Sequence, residues 1–147
     1  MKVVLSLKFN VLYSLVLKVK SMRIFLTMFF AICLLGCSTT DSLKAGTGGS
    51  TFEVRGKSYD EVWKAVSRTA SRSLTIVESN KEVGTIKAEK SAGIATWGEV
   101  VGIFVRPVGG AAAVYTVEVQ SLKRSSLQIT GQDWTTTMKS GILAELD

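Results

Sequence analysis

The use of cysteine and histidine limits the chemistry that this sequence can perform. The chain has two cysteines and no histidine. Cys33 lies inside an apolar run, whereas Cys37 follows that run and precedes a polar stretch. A thiolate is the best nucleophile that such a segment offers, and the small Gly36 leaves room for a peptidase to approach the next peptide bond. Cys37 is therefore the side chain of this segment best suited to covalent chemistry.

The residues before Cys37 have the three-part layout of a secretory signal. Arg23 supplies a basic residue, and residues 24–35 are apolar apart from one threonine. Such a run is too short for a stable spanning helix, which needs about 20 apolar residues to cross a hydrocarbon core of ~30 Å. We therefore interpret residues 22–36 as a signal segment. Residues 1–21 are either a mis-assigned start upstream of Met22, which we favour, or an extended basic n-region.

The tetrapeptide Leu34-Leu35-Gly36-Cys37 resembles the lipobox of bacterial lipoproteins. The resemblance implies that signal peptidase recognises Leu34, Leu35 and Gly36, and that Cys37 becomes the first residue and is acylated on its sulfur and its amine. Stable anchoring takes at least two acyl chains, which this modification provides. Ser38 differs from the aspartate associated with inner-membrane retention in this family, which points to the outer membrane. The alternative is an ordinary signal, or a short membrane-buried helix, with a chance cysteine.

The basic balance of the chain belongs largely to its N-terminal segment. Five of the 18 basic residues and none of the 12 acids precede Cys37, so 13 basic residues remain against 12 acids. This near-neutral remainder gives no support for nucleic-acid binding. Without histidine or further cysteine, it also excludes a Cys/His zinc site, a histidine base and a cysteine nucleophile. We therefore expect no metal, no cofactor beyond the covalent lipid, and no enzymatic activity.

Hydrophobic periodicity predicts a single α+β domain at residues 51–147, after a lipidated Cys37 and a flexible Gly-rich tether that occupy residues 37–50. Ser58 and Glu61 form a capping box before one helix, and Asp133 can cap a second. Strands are predicted at residues 51–55, 74–78, 85–89, 98–105, 114–122 and 126–130. The order is β-α-β-β-β-β-β-α, so we expect a mainly antiparallel sheet with both helices packed on one face.

Alternation within the strands predicts one buried and one polar sheet face. The face under the helices should carry Ile86, Val101, Ile103, Val105, Tyr115, Val117, Val119, Leu127 and Ile129. The solvent-facing side should carry Lys87, Glu89, Glu118, Gln120, Gln128 and Thr130, interrupted by Val100 and Phe104.

Three residues are candidates for binding a protein partner. Trp97 lies in a loop of small residues outside any clear period, and is either exposed to a partner or tucked over a sheet edge. Phe104 and Arg106 share one strand face, where an aromatic ring beside an arginine is typical of a protein contact. The alternative for this pair is a second, minor core.

The element pattern also resembles small uncharacterised proteobacterial lipoproteins and, more distantly, the domains of BamC, a lipoprotein accessory of the outer-membrane β-barrel assembly machine. The motifs that carry it are Phe52-Glu53-Val54, the capping box with Val62-Trp63-Lys64-Ala65, Gly84-Thr85-Ile86-Lys87-Ala88, Tyr115-Thr116-Val117-Glu118-Val119 and Asp133-Trp134. We expect a lipid-anchored, non-enzymatic interaction domain with an envelope protein partner. The alternatives are a binding module for peptidoglycan or lipid and, least favoured, a carboxylate hydrolase.

Overall fold

The computed structural model describes residues 38–94, 96–109 and 113–147. These residues belong to one compact unit, Cys37–Asp147. The predicted signal segment, the residues upstream of it, and Cys37 itself lie outside the described residues.

Five strands and two helices form the described part of the domain. In chain order they are β1 (Ser50–Arg55), α1 (Tyr59–Ser73), β2 (Thr75–Asn80), β3 (Thr85–Lys90), β4 (Glu99–Pro107), β5 (Val114–Lys123) and α2 (Trp134–Leu146), with a short 3-10 helix (Thr40–Ser42) before β1. The sheet order is β1-β5-β4-β3-β2, and every neighbouring pair is antiparallel. Helix α1 therefore carries the chain from one edge strand to the other. This architecture confirms the predicted α+β class and antiparallel sheet.

Both helices begin at the residues predicted to cap them. The Ser58 N–H donates to Glu61 Oε2 at 2.7 Å, and the Glu61 N–H donates to Ser58 Oγ at 3.3 Å. The hydrogen bonds from Ser58 hold the pKa of Glu61 below its ordinary value, because they favour the charged carboxylate. Before α2, Asp133 Oδ1 accepts a hydrogen bond from the Thr135 N–H at 2.9 Å. Each cap satisfies amides that the first helical turn leaves without partners.

The main core lies between the two helices and one face of the sheet. It is formed by apolar side chains from α1, α2 and all five strands, among them Val62, Val66, Ala70, Ile86, Ile103, Val117, Met138 and Ile142. The helices approach each other closely at Gly141, where a Cβ would lie 2.6 Å from Thr69 Cγ2. Both helices therefore cover the same face, as predicted.

The predicted strand at residues 126–130 is not a strand. Strand β5 is already paired with β1 on one side and with β4 on the other, so no edge of β5 is free for the segment that follows it. The segment instead forms a turn at residues 126–127 and then continues without regular structure to α2. Leu127 and Ile129, which were expected in the buried face, are exposed as a result.

Candidate interaction surfaces

Residues 38–49, which we call the N-terminal strap, lie against the sheet face opposite the helices. The Ser38 N–H donates to the Arg124 carbonyl at 2.8 Å. Farther along, Gln120 Nε2 donates to the Lys44 carbonyl at 2.5 Å, and the Gly46 N–H donates to Glu118 Oε2 at 2.7 Å. In the structure these residues are docked on the sheet, where a flexible tether had been predicted. Their backbone is held by hydrogen bonds to β5 and to the residue that follows it.

Leu43 anchors the strap. Its side chain is 2% exposed and packs with Val100 and Phe104 in a second core cluster, beside the partly buried Leu122. Gly102 keeps the sheet open beneath it, since a Cβ there would lie 2.9 Å from the Phe104 ring and 3.2 Å from Leu43 Cβ. Phe104 is thus covered by the chain's own strap. Of the two alternatives for this residue, the minor core is the one observed, and its proposed role in partner binding is wrong.

The polar centre of the strapped face is the carboxylate of Glu118, which is 2% exposed. It accepts hydrogen bonds from the Gly46 N–H and from Gln120 Nε2, each at 2.7 Å, and it is ion-paired with Arg106. A buried carboxylate requires such donors, because burial removes the hydration of its charge. The expected exposure of Glu118 and Gln120 is therefore wrong. Arg106 is partly exposed but already paired within the domain.

Substituting Leu43 with alanine should loosen the strap without unfolding the sheet. Truncating a buried leucine costs about 2–5 kcal/mol, and here the cost falls on the docking of a peripheral segment. We expect much faster hydrogen exchange at the Gly46 amide, with little change at amides of β4 in the main sheet. Leu143→Ala is the matched control, since Leu143 is 38% exposed. Unchanged protection at Gly46 would contradict the anchoring role of Leu43.

Two loops meet at the end of the sheet where the strap begins. We call residues 91–94, 96–98 and 124–132 together the loop end. The Arg124 N–H donates to the Gly98 carbonyl at 3.2 Å, while the Arg124 carbonyl accepts from Ser38. One residue therefore joins both loops to the start of the strap.

Buried polar side chains hold the two loops in place. Glu99 is 2% exposed and accepts hydrogen bonds from Thr96 Oγ1 at 2.9 Å and from Gln128 Nε2 at 3.0 Å. Gln128 Nε2 also donates to Thr96 Oγ1 at 2.7 Å. The prediction that Gln128 is exposed is therefore wrong. Its inward side chain fixes the loop while its two apolar neighbours point outward.

The loop end exposes an unusual amount of apolar surface. Among the described residues seven large apolar side chains are exposed, and four of them lie on these two loops. They are Ile94, Trp97, Leu127 and Ile129. Trp97 is 64% exposed, so the exposed alternative holds for this residue, while its role in binding a partner stays a prediction. Sequence reasoning missed the exposure of Leu127 and Ile129, because the alternation of residues 126–130 is typical of a strand.

The residues predicted to direct targeting are only partly within the described chain. Leu34, Leu35, Gly36 and Cys37 lie outside it, so their roles stay predictions. Ser38 is half-buried, and its N–H is used in the hydrogen bond to Arg124. Its predicted part in sorting also stays a prediction.

A cleft opens at the loop end, between the sheet and the start of α2. It has a volume of about 310 Å³ and is lined by residues that include Lys90, Glu99, Gly131 and Trp134. Lys90 Nζ lies 5.9 Å from the centre of the Trp134 ring, and Trp134 Nε1 is buried without a hydrogen-bond partner. The arrangement can accept a small group that combines an apolar surface with a hydrogen-bond acceptor.

Within residues 38–94, 96–109 and 113–147, no group of three or more Cys, Asp or Glu side chains is placed to hold a metal ion. In the same residues, neither helix has the length and apolar character needed to cross a bilayer.

Comparison with known proteins gives no family for this chain. Neither the protein-family models nor the curated proteins contain a match. Among solved structures, the chain is similar to the adenylate sensor from AMP-activated protein kinase in complex with ZMP, at 14% identity and a TM-score of 0.42, with 65% of this chain and 93% of that chain covered. A likeness this distant supports no conclusion about function.

Proposed function

We propose that this protein is a bacterial lipoprotein, anchored through acylated Cys37, whose α+β domain binds a protein partner in cell-envelope assembly or maintenance. The observation that carries the proposal is the lipobox-like Leu34-Leu35-Gly36-Cys37 at the end of a short apolar run. The compact unit begins at that same cysteine. Cleavage before Cys37 would therefore remove the signal segment and leave the domain and its strap intact. We place the protein at the outer membrane, facing the periplasm.

A non-catalytic role is consistent with the chemistry of the domain. The sequence offers no histidine and no cysteine after Cys37, so the commonest general base and the most reactive nucleophile are both missing. The two buried carboxylates described above, Glu99 and Glu118, are each held by hydrogen bonds within the domain. These hydrogen bonds hold the loops and the strap on the sheet, which explains why the two carboxylates are buried without giving them a catalytic role.

The cleft at Trp134 favours a second candidate, an envelope ligand-binding module for peptidoglycan or lipid. Its lining combines the aromatic ring of Trp134 with the ammonium group of Lys90. Rings of this kind pack against the apolar faces of ligands, while the ammonium group can bind oxygen atoms.

Affinity purification of the tagged full-length protein from membranes tests the proposal. The protein recovered should have a mass that corresponds to acylated Cys37 as its first residue. Reproducible co-purification of outer-membrane assembly proteins would support the protein-binding role, whereas enrichment of glycan fragments or particular lipids would support the ligand-binding module. A mature protein that begins elsewhere, or whose Cys37 thiol is free, would overturn the lipoprotein assignment.

A further inference from the structure

We propose that the loop end is a membrane-contacting surface, which places Ile94, Trp97, Leu127 and Ile129 in the headgroup region of the bilayer that holds the lipid anchor. This inference rests on the proposed acylation of Cys37. It adds to that proposal an orientation of the domain and a lipid surface as the partner of these two loops.

The first argument is the length of chain between the anchor and the domain. The Ser38 N–H is bonded to the Arg124 carbonyl at 2.8 Å, and Arg124 is bonded in turn to Gly98. Cys37 is the residue directly before Ser38, and consecutive Cα atoms are ~3.8 Å apart. No free spacer therefore separates an acylated Cys37 from the loop end. Of all the surfaces of the domain, this one is brought to the bilayer by the covalent connection itself.

The second argument is the chemistry of the side chains at that end. Four of the seven exposed large apolar side chains of the described residues are concentrated on these two loops. Tryptophan is enriched at membrane–water interfaces, where its apolar ring and its N–H are both accommodated. Lys123, which is exposed, lies beside them, with its Nζ 3.4 Å from the carbonyls of Gln128 and Ile129. A lysine at this position can place its ammonium group among lipid phosphates.

The third argument is that hydrogen bonds within the domain keep Leu127 and Ile129 exposed. Gln128, between Leu127 and Ile129 in the chain, is 6% exposed and bonded to Thr96 and Glu99. The Gln128 N–H also donates to the Ser125 carbonyl at 3.1 Å, which closes a turn at Leu127; with the Gln128 side chain bonded inward, Leu127 and Ile129 are left 65% and 94% exposed. An acyl anchor combined with a set of apolar side chains provides two membrane attachments instead of one.

Tryptophan fluorescence of the full-length, acylated protein in phosphatidylcholine vesicles tests this orientation. The vesicles contain phosphatidylcholine brominated on its acyl chains, which quenches rings that lie at the interface. The wild-type protein, Trp97→Phe and Trp63→Phe are compared after mass spectrometry has shown that each carries the lipid. Trp63 is the matched control because it stacks on Tyr59, whose hydroxyl bonds to Lys81 at the opposite end of the domain.

The expected result is quenching in the wild type and in Trp63→Phe, with a several-fold loss of the quenched component in Trp97→Phe. Equal quenching in wild type and Trp97→Phe, or none in either, would overturn the membrane contact while leaving the lipoprotein assignment intact. Crosslinks at Trp97 to a second copy or to a protein partner, without quenching by lipid, would also overturn it. Failure to acylate Cys37 would instead be seen in the mass and would overturn the proposed function together with this inference. Circular dichroism of each variant establishes that the domain is folded.

Discussion

Replacing Cys37 with alanine should abolish labelling of the protein by a clickable palmitate analogue and leave an uncleaved precursor. The thiol of Cys37 is the group to which the first lipid would be attached, and the lipobox resemblance implies that cleavage follows that attachment. Without the sulfur, both steps stop. The measurement is in-gel fluorescence of the labelled protein together with its intact mass, in cells that produce either form.

The chain supplies its own control for this experiment. Cys33 is the only other cysteine, and it lies in the apolar run of the signal segment. Cys33→Ala should therefore be labelled and cleaved like the wild type. Persistent labelling of Cys37→Ala would show that lipid is attached elsewhere. Loss of labelling only in Cys33→Ala would show that Cys33, and not Cys37, carries the lipid. Either result would contradict the proposed anchor.

Gly84→Ala should be among the most destabilising single substitutions in the domain. Gly84 precedes β3, has φ +68°, and its carbonyl accepts a hydrogen bond from the Val105 N–H at 2.8 Å. A Cβ at this position would lie 2.0 Å from the Val105 carbonyl oxygen, and a backbone atom cannot relieve the clash by changing rotamer. Adding left-handed strain of about 1–2 kcal/mol to an overpacking cost of about 1–3 kcal/mol, we expect a loss of about 2–5 kcal/mol in the free energy of unfolding.

Gly56→Ala is the matched control for this substitution. Gly56 has nearly the same backbone angle, φ +72°, but no atom lies within 4 Å of the position of its Cβ. It should lose only the strain contribution, about 1–2 kcal/mol. The two variants are compared by urea unfolding monitored by circular dichroism. Equal losses of stability in the two variants would mean that a small backbone shift relieves the close contact between Gly84 and Val105. The pairing of β3 with β4 would then be less rigid than its geometry indicates.

The helices and most of the strands could be predicted because their signals are local. Ser58 and Glu61 are three residues apart, so at a helix start the side chain of each can accept a hydrogen bond from the other's backbone N–H. Asp133 can likewise accept a hydrogen bond from a backbone N–H at the start of α2. Alternation in residues 85–89 and 114–122 likewise fixes which side chains share a face. These patterns are read within a few residues, so no knowledge of the tertiary structure is needed.

The strap could not be predicted in the same way, although one signal was present. Residues 44–50 are rich in glycine and read as linker, yet Leu43 is the one large apolar residue between Ser38 and β1. Whether a lone leucine is buried depends on a matching site elsewhere. Here that site is the gap over Gly102 between Val100 and Phe104. Docking of the strap then buried Glu118 and Gln120, which alternation alone had placed in solvent.

The sequence by itself determined the two capped helices, the α+β class and the candidate anchor at Cys37, because each depends on residues adjacent or nearly adjacent in the chain. Only the tertiary structure decided that residues 126–130 remain outside the sheet: one edge of β5 is taken by β4, which precedes it in the chain, and the other by β1, which comes from a distant part of the chain. It also decided that Ser38, Gly98 and Arg124 meet at one end of the domain. Such long-range pairing depends on the packing of the whole chain, and local patterns of residues do not encode it.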